Sequence, residues 1–489
     1  VTIRELAELL PGATVHGDPG GAPRFATHDS RRAGPGALFV AIKGMAQDGN
    51  QFVDAAVRKG AVAVASEAPP QPGIPWILVG DAREALAVFS AALLGKPAER
   101  LTLIGVTGTN GKTTTAYLID AALRERGDRV GLVGTVEYRI GDRLMDAVRT
   151  TPEASDLQEI LQEMVEAGCQ DAVLEVSSHA LALKRAYGLS FAAAVFTNLT
   201  RDHLDFHGDM EAYFAAKRVL FDTLLREDGH AVINLEDPRA DALKKASRGR
   251  VWTFSTSGPA DFEASEIKLS LRGTSFKVKT SAGSHFVETS LLGRFNVQNI
   301  LGAFGAVCAL GEDPEAALRG IRSVRGVPGR LERVEAGQDF SVIVDYAHTD
   351  DALRNLLETV RDLCPKRIIT VFGCGGDRDK TKRPLMGAIA ARLSDLAILT
   401  SDNPRSEPPE DILADIQRGM PRGRGAVSQV IPDRREAILR ALEVARDGDA
   451  VVIAGKGHEQ TQALRDRSVP FDDRRVAKDI LGALRSPTR

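Results

Sequence analysis

Leu101-Thr-Leu-Ile-Gly-Val-Thr-Gly-Thr-Asn-Gly-Lys-Thr-Thr-Thr115 is the stretch on which the fold of this 489-residue chain turns. Leu101, Leu103, Ile104 and Val106 make an apolar run suited to a buried parallel strand. The chain then passes through Gly108, Thr109, Asn110 and Gly111. From Lys112, Thr113 and Thr114 it continues in a helix-like pattern to Arg126. A strand, a Gly-rich loop and a helix N-terminus form a phosphate cradle. Backbone N–H groups converge, the helix dipole favours an anion, and Lys112 adds a point charge. The Thr113 hydroxyl stands where it can hold a Mg²⁺ ion carried by a nucleotide. The general P-loop pattern has a glycine where this chain has Val106, with glycines at Gly105 and Gly108 instead. A turn that merely joins a strand to a helix would need the same glycines. It is Gly111-Lys112-Thr113 at a strand–loop–helix junction that points to nucleotide binding.

Working outward, strand-like runs at 129–133, 172–176 and 192–197 alternate with helical stretches, which predicts a mainly parallel sheet. Two of these runs lead into polar tips, Glu175-Val-Ser-Ser-His179 and Asn198-Leu-Thr-Arg-Asp-His203. Read as adjacent strand ends, they offer Glu175 and His203 to one nucleotide and to a second metal ion. A helix-capping acid with serines would account for any one of these residues. Residues 262–291 change to short alternating strands with Gly turns, an expected antiparallel edge, and 293–299 leads into an Ala- and Gly-rich helix. The central domain is expected at 98–329. Before it, residues 1–97 read as a small α/β domain with strands at 37–42 and 61–65, a helix at 51–59 and a surface loop at 68–75.

After it, residues 330–489 carry strands at 340–344, 367–372, 396–400 and 450–454, the first three each followed by a helical stretch. This is a doubly wound, Rossmann-like pattern, in which ligands bind at the carboxyl ends of the strands. The loops there are 345–348, 373–379, 402–405 and 455–459, rich in Gly, His, Asp and Arg. The expected fold class is therefore α/β in three domains.

Composition narrows the function. The chain is 43% hydrophobic and 26% charged, as in ordinary globular proteins, and its formal charge of −3 supplies no basic field for nucleic acid or an anionic membrane. Four scattered cysteines with no Cys-x-x-Cys pair argue against disulfides or a zinc site and fit a reducing cytoplasm. No signal peptide and no membrane-spanning apolar stretch are read, so no membrane insertion is expected, and the chain is expected to act as a monomer. Lys217 falls on a helical stretch, where most lysines are solvated. A buried lysine with a lowered pKa would instead present a reactive neutral amine.

Taken together, the stretches 108–114, 150–152, 175–179, 198–203, 205–208, 293–299, 345–348, 402–405 and 455–459, with Lys217 and Phe221, resemble the Mur ligases. The resemblance covers essentially the whole chain and is strongest to the family's tripeptide synthetases. It implies that the three domains hold, in order, a UDP-sugar, ATP and an incoming amino acid. Asp29 and Ser30 would meet the uridine diphosphate, and Thr150, Thr151, Ser177 and Arg185 the muramoyl-peptide. The loop 108–114 would hold the ATP phosphates. Thr113, Glu175, His203 and a carbamylated Lys217 would be metal ligands or orient them. Asn299, Arg330 and Asp345 would contact the nucleotide, the last two only once the C-terminal domain closes. Arg378, Asp402, Asn403, Pro404, Arg405, Gly455 and Glu459 would take the amino acid, with Arg405 on a distal carboxylate and Glu459 on a distal ammonium.

The implied activity is ATP- and Mg²⁺-dependent addition of meso-diaminopimelate to a UDP-sugar dipeptide through an acyl phosphate, with Lys112, Glu175, His203 and Lys217 as the catalytic set. Leu183, Met45-Ala-Gln47 and Asp350 depart from forms common in the family. L-lysine addition, another Mur- or folylpolyglutamate-type ligation, and a non-catalytic nucleotide-binding scaffold are the rival readings.

Overall fold

The computed structural model describes residues 1–489 except 45–46, 271–272, 365, 422–426 and 486–489. The departure at Met45 therefore lies outside the described residues. Three large α/β sheets, of five, eleven and six strands, follow one another along the chain, with a small two-stranded ribbon near its end. Among the described residues no helix is long and apolar enough to cross a membrane.

The eleven-stranded sheet is built around Thr102–Thr107, in which every residue after Thr102 is buried. Phe191–Phe196 pairs in parallel on one side and Cys169–Glu175 on the other. Sequence reading took these two flanking strands as neighbours. They are in fact separated by the P-loop strand, because the chain crosses over it between them. The phosphate loop thus stands between two polar strand ends. Phe191–Phe196 shows why an unbroken apolar run is needed here. Ala194 and Phe196 pack with Leu220 and Phe221, while Ala193 and Val195 pack with Ile119, Ile300 and Phe304 in the opposite layer.

The edge over 262–291 is antiparallel as expected, but its first strand, Phe262–Ser270, pairs parallel with Arg250–Ser255, so the extension is continuous with the main sheet. Leu225–Asn234 was not anticipated, since its first half is charged and exposed and hides the strand period. The Ala- and Gly-rich helix starts at Arg294, so Asn296 and Asn299 are helical residues and not part of a preceding loop.

In the five-stranded sheet, Ala37–Ala41 is wholly buried. Helix Ala82–Leu93 packs on Ala154–Glu166 of the central unit. There Lys184 reaches Asp81 and Glu84 at 2.6 Å each, and Arg32 reaches Glu159 at 2.8 Å.

The six-stranded sheet runs Glu332–Arg333, Ser341–Asp345, Ala450–Ala454, Ile368–Phe372, Leu396–Leu399, Val427–Val430, parallel in all but its first pair. Ala450–Ala454 is inserted between strands formed earlier, and such a reversal of strand order opens a crevice at the carboxyl ends. Helix Asp473–Arg485 is anchored by Arg434, which pairs with Asp473 at 2.7 Å with both side chains fully buried. Removing one partner of such a pair costs about 3–5 kcal/mol.

Candidate active site

The phosphate loop is held by its neighbour strand. Thr109 N–H donates to the Asn198 carbonyl at 2.8 Å, Asn110 N–H to Asn198 Oδ1 at 2.9 Å, and Thr197 Oγ1 to the Asn110 carbonyl at 2.6 Å. Gly111 opens helix Lys112–Arg124 with φ 85°, and a Cβ there would lie 2.3 Å from Asn299 Oδ1. Gly111→Ala is expected to lose about 1–3 kcal/mol of stability from that backbone conformation and clash. It should also weaken nucleotide binding. A melting curve and a nucleotide titration indistinguishable from the parent would show that the loop can relax.

Lys112 Nζ donates to the Gly108 and Thr109 carbonyls at 2.9 Å, folded back on its own loop. Lys217 Nζ reaches the same Gly108 carbonyl at 2.8 Å from helix Met210–Asp222, and stands 4.6 Å above the Tyr213 ring. Lys217 is only 2% exposed. Burial, and then the charge of Lys112, depress it well below the ordinary lysine range, whereas burial lowers Lys112 against the opposing pull of Glu175 and Asp202. The helical lysine is thus buried rather than solvated.

Glu175 is fully buried and accepts from Thr113 Oγ1 at 3.1 Å, Thr135 N–H at 2.8 Å and Thr135 Oγ1 at 3.0 Å. Thr135 was missed by sequence reading, although its place just beyond strand Arg129–Val133 was the available signal. Around the Glu175 carbonyl gather Thr151 (2.7 Å), Ser177, whose N–H meets Thr151 Oγ1 at 3.1 Å, and Arg185, 3.2 Å from the Thr151 carbonyl. Thr150 joins through Thr135 Oγ1 at 3.1 Å. Leu183 caps the short helix Ser178–Ala182 through the His179 carbonyl. Ser30 lies in the loop after strand Phe25–Thr27, on a different sheet from the other four.

His203 sits at φ 54° with Nε2 3.2 Å from Asp202 Oδ2, and its ring meets His179 at 4.7 Å. His207 packs on Tyr213 at 5.0 Å and shares a hydrogen bond with Ser178 Oγ at 3.0 Å. Desolvation keeps this cluster neutral: it lowers His179 and His203, and takes His207 down to about 4, where nearby His179 and Lys217 assist and Asp205 and Asp202 oppose. An unfolded His207 takes a proton near 6.5, so between that pH and about 4 the unfolded chain binds more protons. Stability is accordingly full above about 6.5 and falls as pH drops toward 4. The melting temperature is expected to follow that course, and His207→Gln to flatten part of the descent. A descent of equal size in the variant would remove His207 from the account.

A cavity of about 630 Å³ lies over this loop, walled by Lys112, Glu175, His203 and Asn299 on one side and by Asp345 and His348 on the other. The resemblance implied that Arg330 and Asp345 arrive only on closure. Here Arg330 Nη2 already stands 3.1 Å from Thr113 Oγ1, over the Tyr346 ring at 4.5 Å. Asn110 Nδ2 also reaches Asp351 Oδ2 at 3.2 Å. Asp345 is engaged with backbone on two sides, accepting from Leu331 N–H in the linker at 2.7 Å and from Ala347 N–H in its own loop at 2.8 Å, and burial raises its pKa against Arg330. Asp350 begins helix Asp350–Leu363 beside the Thr349 cap, where an acid complements the helix dipole and replaces the proline that position also suits.

The loops after the next strands come together beside it. Gly455 N–H donates to the Asp345 carbonyl at 3.0 Å, and a Cβ on Gly455 would lie 2.5 Å from Asp402 Oδ2. Asn403 Nδ2 reaches Glu459 Oε2 at 2.8 Å. The fully buried Lys456, also missed, binds Asn403 Oδ1 (3.1 Å), Glu459 Oε2 (2.9 Å) and the Thr461 carbonyl (2.7 Å). Arg405, at φ 52°, donates to the Gly376 carbonyl at 2.7 Å, and both Arg405 and the exposed Arg378 border Gly375. Pro404 abuts Gly376.

Chemically, the first group suits a polyphosphate and a hard cation. Among the described residues no cluster of three or more His, Cys, Asp and Glu side chains is set to hold a metal by itself. A cation would therefore lean on Thr113 Oγ1, Glu175 and phosphate oxygens, the habit of Mg²⁺. The second group suits an amino acid with charges at both ends.

The models of three domain families match the chain: Mur ligase family, catalytic domain over residues 24–93; Mur ligase middle domain over 106–307; and Mur ligase, glutamate ligase domain over 329–457. The chain is 50% identical to the UDP-N-acetylmuramoyl-L-alanyl-D-glutamate–2,6-diaminopimelate ligase of Solibacter usitatus, across 93% of this chain and 92% of that one. It is 45% identical to the enzyme of the same name from Geobacillus thermodenitrificans, across 97% and 98%. A solved structure bearing that name superposes with a TM-score of 0.71 at 36% identity, covering 99% of each chain.

Proposed function

The chain belongs to the Mur ligase family, and from that premise we propose how its crevice works. It is an ATP-dependent ligase that joins meso-diaminopimelate to UDP-N-acetylmuramoyl-L-alanyl-D-glutamate, a step in building peptidoglycan precursors. The observation that carries the reading is the cavity in which the phosphate loop faces Asp345 and His348, with the loops of Asn403 and Glu459 tied to Asp345 through the Gly455 N–H. We assign residues 1–97 to the UDP-sugar, 98–329 to ATP and 330–489 to the amino acid, with Ser30 toward the uridine diphosphate and Thr150, Thr151, Ser177 and Arg185 on the muramoyl-peptide.

The D-glutamyl carboxylate attacks the γ-phosphorus of ATP, ADP leaves, and an acyl phosphate results. The neutral amine of the amino acid adds to its carbonyl carbon, loses a proton, and expels phosphate as the amide forms. Carboxylate and ATP are both anions, so the first step depends on neutralising their repulsion. Lys112 does this by leaving the Gly108 and Thr109 carbonyls for the phosphates, and Arg330 lies ready at Thr113. Glu175, fixed by Thr135, holds Thr113 in place. Thr113 and Glu175, with His203 nearby, would hold a Mg²⁺ ion, which would supply further charge neutralisation on the phosphates. Substrates that fill the cavity between the two walls would displace water, which would otherwise hydrolyse the acyl phosphate. We place the reaction in the cytoplasm and take the chain to act as a monomer.

The test is phosphate release. ATP should be split only when both the UDP-sugar dipeptide and diaminopimelate are present, with a product heavier by one diaminopimelyl residue. Phosphate released without the amino acid, and no amide formed with it, would refute the reading.

A further inference from the structure

The linker between the second and third sheets runs along another cavity, of about 490 Å³, distinct from the one over the phosphate loop. Its walls include Arg325, Arg333, Arg474, Arg475 and Lys478, against two acids, Glu332 and Glu335. In a chain whose formal charge is −3, this is a local concentration of cations that the ligase chemistry does not use. The acids are already engaged: Glu332 with Arg474 at 3.3 Å and Glu335 with Arg333 at 3.3 Å. Arg325, Arg475 and Lys478 are therefore the surplus. Helical spacing puts residues 474, 475 and 478 on one face of Asp473–Arg485, so their charges add instead of dispersing. The Arg475 side chain is 79% exposed, with its nearest carboxylate, Asp472, at 3.9 Å.

We propose that this linker cavity is a binding site for a multivalent phosphate, and that its occupancy is felt at the nucleotide cavity through Arg330. Several guanidinium forks and an ammonium around a space larger than one phosphate suit an anion carrying two or more phosphoryl groups. The coupling follows from shared residues. Arg330 lines both cavities, and its guanidinium stands at Thr113. Glu332 Oε2, which pairs with Arg474, also accepts from Gly329 N–H at 2.7 Å, and Leu331 follows Arg330 with φ 43°, its N–H held by Asp345. A phosphate that draws Arg474 away from Glu332 loosens the turn that aims Arg330.

Tripolyphosphate is a suitable probe, titrated calorimetrically into protein whose phosphate loop is already saturated with a non-hydrolysable ATP analogue and Mg²⁺. The parent is expected to bind at a second site that weakens with salt. The double variant Arg475→Glu, Lys478→Glu should lose at least about tenfold in that affinity and keep its analogue affinity. Both positions are on the surface, so folding survives the change. Lys244→Glu, Lys245→Glu, an equal charge change outside the cavity, should bind as the parent does. Tripolyphosphate should also shift the apparent analogue affinity differently in the parent and in the cavity variant. No second-site binding, equal loss in the control variant, or an identical shift in both proteins would overturn the proposal.

Discussion

Lys217→Ala is expected to slow amide formation by about a thousandfold or more, some 4 kcal/mol of lost transition-state stabilisation, while ATP still binds. The expectation rests on where the amine is. Lys217 is buried, aimed at the Gly108 carbonyl beside Lys112, and held well below the ordinary lysine range. Such an amine gives up its proton more readily than an ordinary lysine, and only a neutral amine adds to carbon dioxide. A carbamate on Lys217 would turn one of two crowded cations into a carboxylate-like group next to Lys112, removing the repulsion that adds to burial in depressing Lys217. We propose that the active enzyme carries this modification. Carbon-13 NMR with labelled bicarbonate should show a carbamate signal in the parent and none in Lys217→Ala, and short-chain carboxylates should restore some turnover to the variant. A fully active sample with an unmodified Lys217 would sink the idea.

For Arg405→Ala the expected loss is in choice of amino acid. Meso-diaminopimelate and L-lysine differ by one distal carboxylate, and the planar guanidinium fork can grip that group with two parallel hydrogen bonds. In the structure Arg405 is held in a left-handed conformation and donates from one nitrogen to the Gly376 carbonyl, with Asp377 the nearby carboxylate that feels its charge. Asn403, two residues before it, is tied to Glu459 and to the buried Lys456. Loss of such a charge-assisted contact costs about 2–5 kcal/mol, so the preference for diaminopimelate over lysine should fall by orders of magnitude. Each amino acid is supplied in turn with ATP and the UDP-sugar dipeptide, and kcat/KM compared. If the unmodified protein turned over L-lysine as well as diaminopimelate, the assignment of Arg405 would fall and the ligase reading would stand.

The phosphate loop, the polar strand ends and the four C-terminal loops could be read directly, because each is a local pattern of glycines and charged residues at the tip of an apolar run. Strand neighbours could not. Whether Cys169–Glu175 lies beside Phe191–Phe196 depends on how the chain crosses over Thr102–Thr107, which no local pattern records. Thr135 and Lys456 escaped for a related reason. A lone threonine or lysine acquires meaning only from burial and from the partners that tertiary structure brings, Glu175 in one case and Asn403 with Glu459 in the other. Asp350 shows the reverse: its departure from a familiar proline has a local explanation, the first turn of a helix.

Anyone trimming or fusing this protein meets a boundary set by Arg434. Its guanidinium joins three things at once: Asp473 of the last helix at 2.7 Å, the Ala454 carbonyl at 3.0 Å, and the Ser401 carbonyl at 3.3 Å. Ala454 and Ser401 are each one residue short of a loop in the proposed amino-acid pocket, Gly455 and Asp402. A cut ahead of Asp473 would strand a buried cation and slacken both loops together, so damage far along the chain would surface as poor handling of one substrate. A tag added after the helix leaves the clamp alone.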